Sequence, residues 1–196
     1  MRANAVALTM PVPSAIKLVR EMHPLPGAIA AQLPLLEMVR MLACLVVIAR
    51  YPAGVLAPEW QADFPASSRA IHSILHDSSK RRGDVRLILV LQARPGFSRT
   101  HILDPTESWT RTLLDEAGRL LGAWAAQPEL VQSHVWRNAR AAPSSELSAP
   151  LTVQLDAGAL LGIAGDGLHA AAGAEGAYWP GIALADRFAA MLPQPT

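Results

Sequence analysis

Apolar positions along the chain fall into two periods, and the switching between them marks out the expected elements. Short alternating or continuous apolar runs predict strands over 5–9, 45–48, 70–75, 85–92, 131–136 and 151–155. The run 41–49 is fully apolar and less than half of a membrane span, so it predicts a core strand around 45–48, closed by Tyr51-Pro52. Three- and four-residue spacing takes over after Pro105-Thr106. There Trp109, Leu113, Leu114, Ala117, Leu120, Leu121 and Trp124 define one face of a long helix, with Glu107, Arg111 and Asp115 on the other. A shorter helix carrying Ile16, Leu18 and Val19 is expected after Ser14 as N-cap, ended by Pro24 and Pro26. A second helical pattern spans 28–42 with an interruption near Pro34, and a final helix carries Ile182, Leu184, Phe188 and Met191.

The connections refine this picture. Residues 77–84 form a polar, glycine-containing spacer that suits adjacent antiparallel strands on either side. Residues 52–68, with three prolines, read as a loop, and 141–145 as a linker. Strands followed only irregularly by helices argue α+β for the middle of the chain and α/β at its two ends. A strand beginning at residue 5 with no earlier element to pair it is expected to continue something else.

Composition changes the picture mainly by exclusion. With 51% apolar and 17% charged residues in 196, the chain is expected to fold around a sizeable core. A net charge of +1 gives no reason to expect a nucleic-acid or membrane-surface partner, and Lys80-Arg81-Arg82 reads as a solvated loop. Cys44 is the sole cysteine, so no intrachain disulfide forms, and its apolar surroundings suit a small buried hydrophobe. Residues 1–8 faintly resemble a signal peptide, but the apolar part is short and Pro11 and Pro13 interrupt it. A cytoplasmic protein is the expectation.

Several chemistries lack their residues. His72 and His76 sit in an expected strand, too far apart to share a metal, and no HExxH or paired CxxC accompanies them. No metal site is therefore expected. Ser98 lacks the second glycine of a nucleophile elbow, and no phosphate-binding Gly-x-x-x-x-Gly-Lys-Ser/Thr is present. One segment keeps its interest: an apolar strand from Leu160 runs into Gly165-Asp166-Gly167, and a helix follows with Glu175-Gly176-Ala177 near its start. A carboxylate repels phosphate but accepts hydrogen bonds from hydroxyls, so Asp166 suits a ribose or polyol. On spacing alone a turn whose aspartate caps the helix is the better reading. Trp136 beside Arg137 is open in the same way, as a stacking wall or as a core anchor.

Four segments in order resemble the renalase-like branch of the flavin-dependent amine-oxidase superfamily. Asp77-Ser78-Ser79-Lys80 is similar to that branch's Asp/Asn-Ser-Ser-Lys loop. The stretch from Leu91-Gln92-Ala93-Arg94 to His101 is similar to its His-Ala-Ser-Pro-x-Trp-Ser-x-x-His segment, with substitutions. His134-Val135-Trp136-Arg137-Asn138-Ala139 resembles its His-x-Trp-Arg-Tyr-Ala strand, with Asn138 for Tyr. Gly165-Asp166-Gly167 and Glu175-Gly176-Ala177 resemble its carboxyl-terminal flavin motif, with Pro180 where Ser is usual.

The resemblance implies an antiparallel-sheet substrate domain over 15–140, flanked by pieces of a Rossmann-like FAD-binding domain. Those pieces would be the strand and Pro-x-Pro turn of 1–14, and the last strand and helix within 150–196. It implies FAD as cofactor, with Gly165, Asp166 and Gly167 at the ribityl hydroxyls and Glu175, Gly176 and Ala177 at the pyrimidine edge. Trp136 and Arg137 would lie on the substrate side. The implied chemistry is hydride transfer from a small reduced substrate, such as a dihydronicotinamide isomer, to flavin and then to dioxygen. The family's amino-terminal dinucleotide fingerprint has no counterpart in residues 1–196. The chain is therefore expected either to be truncated or to act as an interaction module with a separate dinucleotide-binding half.

Overall fold

The computed structural model describes residues 3–82, 86–155, 158–170 and 173–192 and shows a mixed α/β protein with antiparallel sheets. Its contacts divide into two compact units, one from 1–42 together with 138–196 and one from 43–137.

The discontinuous unit holds a three-stranded sheet in the order β1 (Ala5–Leu8), β8 (Leu160–Ile163), β7 (Leu151–Gln154). β1 runs parallel to β8, Ala5 opposite Leu160 and Leu8 opposite Ile163, and β7 runs antiparallel to β8. Helix α1 (Val12–Arg20) buries Val12, Ala15, Ile16 and Val19, a three-and-four spacing that gives it one apolar stripe. That stripe packs with Leu8, Leu161, Ile163, Val153, Ile29 and Leu36 into one core.

Two local expectations fail here. α1 starts two residues before Ser14 with Pro11 as N-cap, because Pro13 fits a first turn, where its missing N–H is not needed. Ser14 instead donates its backbone N–H to Pro11 O at 2.8 Å. The pattern over 28–42 is two single turns, α2 (Gly27–Ala30) and α3 (Leu33–Leu36), since Pro34 cannot continue a helix begun upstream. Met41 and Leu42 then belong to β2 (Met41–Arg50).

The unit of 43–137 is built on a five-stranded sheet in the order β3 (Ala62–Asp63), β4 (Ile71–His76), β5 (Ile88–Ala93), β2, β6 (Leu130–Ala141). β4 and β5 are antiparallel neighbours, as the polar spacer between them predicts, and β5 pairs antiparallel with β2. Val85, where that strand was expected to start, lies outside the described residues. Helix α5 (Thr106–Leu121) presents Trp109, Leu113 and Ala117 to Leu45, Val47, Ala49, Ile74, Leu89 and Leu91 of the sheet. Trp124, expected on the same helix, sits in the 3₁₀ turn Ala123–Ala126 because Gly122 ends α5 at φ +109°. A short helix α4 (Pro95–His101) precedes α5, and β6 is twice as long as its apolar core suggests. Residues 141–145, expected as a linker, include buried Ala141, Ala142 and Ser145.

α6 (Gly173–Met191) closes the chain, with Gly176, Pro180 and Leu184 buried along one face. It approaches β8 where Gly162 has no side chain: a Cβ there would lie 2.4 Å from Leu184 Cδ1 and 2.8 Å from Phe188 Cζ. Pro180 lies inside the helix, where its ring crowds the carbonyl four residues earlier. That residue is the buried Gly176.

Candidate functional site

Gly165-Asp166-Gly167 forms a tight corner after β8. Leu168 N donates to Gly165 O at 3.2 Å, and Gly165 and Gly167 stand at φ +139° and +95°, a region glycine enters without steric cost. Gly167 has a second constraint, since a Cβ would fall 2.6 Å from Val39 Cγ1. The half-buried Asp166 carboxylate accepts from Ala141 N at 2.7 Å through Oδ2 and from Gly173 N at 3.4 Å through Oδ1. It thus ties the end of β6 to the first residue of α6. Each carboxylate oxygen accepts two hydrogen bonds, so one lone pair on each is left for a hydroxyl. Glu175 is exposed, Gly176 buried and Ala177 half-buried in the first turns of α6. The amides of that first turn have no acceptor within the helix and carry the positive end of its dipole.

Trp136 and Arg137 belong to the other unit and are not brought together. They are consecutive in β6, so their side chains point to opposite faces of the sheet. Val135 packs against the core beneath α5, which places Arg137 on that side and Trp136 on the other. Trp136, 55% exposed, shares its face with His134, the ring centroids 4.4 Å apart and edge to face. Strand registers put Val46, Gln92 and Ser73 in one row of this second face and Ile48, Val90 and Leu75 in the next. Ser73 Oγ donates to Gln92 Oε1 at 3.0 Å, which leaves the Gln92 amide hydrogens for another acceptor. An apolar floor, one oriented amide and an exposed indole form a surface suited to a flat ring with a polar edge. His134 belongs to the motif that carries the sequence resemblance but was given no role there; two-residue periodicity from Trp136 was the signal for it.

The remaining motif residues serve the fold. Asp77 pairs with Lys80 Nζ at 3.1 Å and Arg81 at 2.5 Å, and chiefly the Arg81 hydrogen bond holds its carboxyl below the usual range. Ser78 Oγ accepts from Ile88 N, and Ser79 Oγ donates to His76 O, so this loop locks the turn between β4 and β5. Ser98 is fully buried and its hydroxyl accepts from Leu45 N at 3.1 Å. Arg94 donates to Ser68 O and Pro65 O, which anchors the long loop before β4. Among the described residues no cluster of three or more His, Cys, Asp or Glu is placed to hold a metal, and no helix is long and apolar enough to cross a membrane.

No protein-family model matches the chain, and no curated protein matches it in sequence. Among solved structures it is similar to a protein described as "Putative protoporphyrinogen oxidase from Exiguobacterium sp. 255-15", with a TM-score of 0.54 and 16% identity. The likeness covers 71% of this chain and 30% of that one, so it spans less than a third of that protein's length. At this identity it is a likeness of fold.

Proposed function

We propose that residues 1–196 carry the substrate domain and the closing flavin-domain segment of an FAD-dependent oxidoreductase of the renalase-like kind. The observation that carries this is the fold shared with an oxidase over 71% of the chain, in a protein whose sequence motifs resemble flavin enzymes in the same order. The donors and acceptors present are compatible with the cofactor: spare lone pairs on Asp166 for ribityl hydroxyls, and the α6 amino terminus for the electron-poor ring's carbonyl edge. FAD, when bound, would supply hydride acceptance and reoxidation by dioxygen. The chain's own residues would hold the α6 amino terminus in place through Asp166 and present a flat reduced ring against Trp136 and His134. A dihydronicotinamide would fit there, with its carboxamide at the Gln92 amide.

The test is to purify the chain with FAD and look for flavin that co-elutes; loss of all flavin would sink this proposal for residues 1–196. Trp136→Ala should weaken binding of a dihydronicotinamide mononucleotide roughly three- to tenfold, the range expected for losing one aromatic stacking partner. Unchanged affinity would remove Trp136 from the site.

One observation favours an alternative, an interaction module that needs a dinucleotide-binding half supplied from outside residues 1–196. β1 ends its sheet, and an apolar groove of about 430 Å³ lies beside it, lined by Val6, Leu18, Met22, Leu155 and Leu160. An open strand edge with apolar flanks is a template for a further strand. Cooperative unfolding of the isolated chain as a stable monomer would count against it.

A further inference from the structure

Among the described residues β6 ends the five-stranded sheet, so one row of its backbone donors and acceptors has no strand beside it. α5 lies over the same margin, with Thr110 Oγ1 and Ser133 Oγ 2.7 Å apart. A cleft of about 460 Å³ opens between the helix and the strand edge. Leu114 and Val131 give it an apolar floor, and Glu107, Arg111 and Asp115 stand along the helical wall on successive turns. Leu130 and Val131 are 45% and 39% exposed at this margin.

Charges across this unit are unevenly satisfied. Asp77, Glu116 and Glu129 each hold an arginine within the unit. Among the described residues Glu107 and Asp115 hold no cation, and Arg137 on β6 holds no carboxylate. Arg137 and Val131 are both odd-numbered positions of β6, so they point to the face that α5 covers. The strand itself carries Arg137 and Arg140 and no acidic residue.

We propose that this edge is a homodimer interface, in which β6 of a second copy adds antiparallel to β6 and continues the sheet across a twofold axis. With His134 opposite its twin, Arg137 of the second copy falls opposite Val131. Directly opposed residues of an antiparallel pair share a face, so that guanidinium enters the cleft beside Glu107 and Asp115. The twofold repeats the contact, so each copy adds a second cation to a cleft in which the two carboxylates, Glu107 and Asp115, face only Arg111. Val135 of one copy meets Ser133 of the other, and Leu130 meets Asn138, so no like charges are opposed along the pairing. Glu129, at the strand's start, keeps its own partners Arg50 and Arg86.

Sedimentation of the full chain over a range of concentrations tests this, together with amide exchange of β6. A dimer is expected, with β6 amides becoming more protected as concentration rises. Arg137→Glu should raise the dimer dissociation constant at least about tenfold, since it replaces two attractions by two repulsions. Combining it with Asp115→Lys should restore most of the affinity, because the pair is then reversed rather than lost. A monomer at every concentration overturns the proposal, as does a dimer whose affinity Arg137→Glu leaves unchanged. A dimer weakened by Arg137→Glu but not recovered by the reversal overturns the assigned register.

Discussion

Residues 43–137 and the unit formed by the two outer segments bury their strands in contrasting ways. In the first, β3, β4 and β5 are antiparallel neighbours in chain order, β2 adds antiparallel to β5, and the buried Trp109, Leu113 and Ala117 of one helix pack on the sheet. In the second, a parallel pair joins β1 to β8, and the sheet stops after three strands with an apolar groove at its open edge. α6 in this unit also leaves Tyr178, Trp179 and Ile182 exposed. The contrast teaches that a contiguous antiparallel unit can saturate its own core. The discontinuous one relies on backbone-level fits, a glycine under a helix and an aspartate across a corner, to hold few strands together.

Each side of that contrast can be broken separately. The largest effect is expected from Trp109→Ala, which removes a fully buried indole and should cost about 3–5 kcal/mol. Hydrogen exchange should accelerate across 43–137 first, and equal acceleration in 160–163 would show that the two units unfold as one. Gly162→Val should cost about 1–3 kcal/mol, since its side chain must displace Leu184 and Phe188. Protection is then expected to fall in β8 and α6 while β4 and β5 keep theirs.

The smallest effect is a pH dependence of the contiguous unit. Hydrogen bonds from Arg81, Arg119 and Arg86 hold the carboxyls of Asp77, Glu116 and Glu129 below their ordinary values. The folded state therefore binds fewer protons than the unfolded one. Their contribution is present above the unfolded pKa values, about 4, and is lost as pH falls through the lowered ones. The thermal midpoint should drop below about pH 4, and less steeply in an Asp77→Asn, Glu116→Gln double variant. At the other end, burial pushes the Tyr51 phenol up; its hydroxyl donates to Ala125 O at 2.8 Å. That contribution is present below the ordinary tyrosine value and fades as pH rises beyond it.

Much of the secondary structure was legible because periodicity reports burial directly. β2, β4, β5 and α5 each have one dominant period and a clear terminator. Failures came where a local signal lost to a neighbour. Ser14 is a good cap residue, but Pro13 had already opened the helix. The run over 28–42 has helical spacing, but Pro34 divides it and the strand claims its end. α4 is too short for a period to show. The candidate site was legible as a pair of motifs and not as contacts. Nothing in the sequence ties Asp166 to Ala141, 25 positions earlier in the chain. Nor does the Trp136-Arg137 pair reveal by itself that a strand would turn its two side chains apart.

The pairing of β1 with β8 has a consequence for how the protein is made. Ala5 waits for Leu160, about 155 positions later, and among the described residues no nearer strand pairs with it. At ordinary rates of synthesis that is roughly 8–30 s during which an apolar strand leaves the ribosome without its partner. The whole of 43–137 emerges in that interval and can fold from its own contacts. Folding order therefore departs from chain order: residues 43–137 can finish first, and β1 is completed only when β8 arrives.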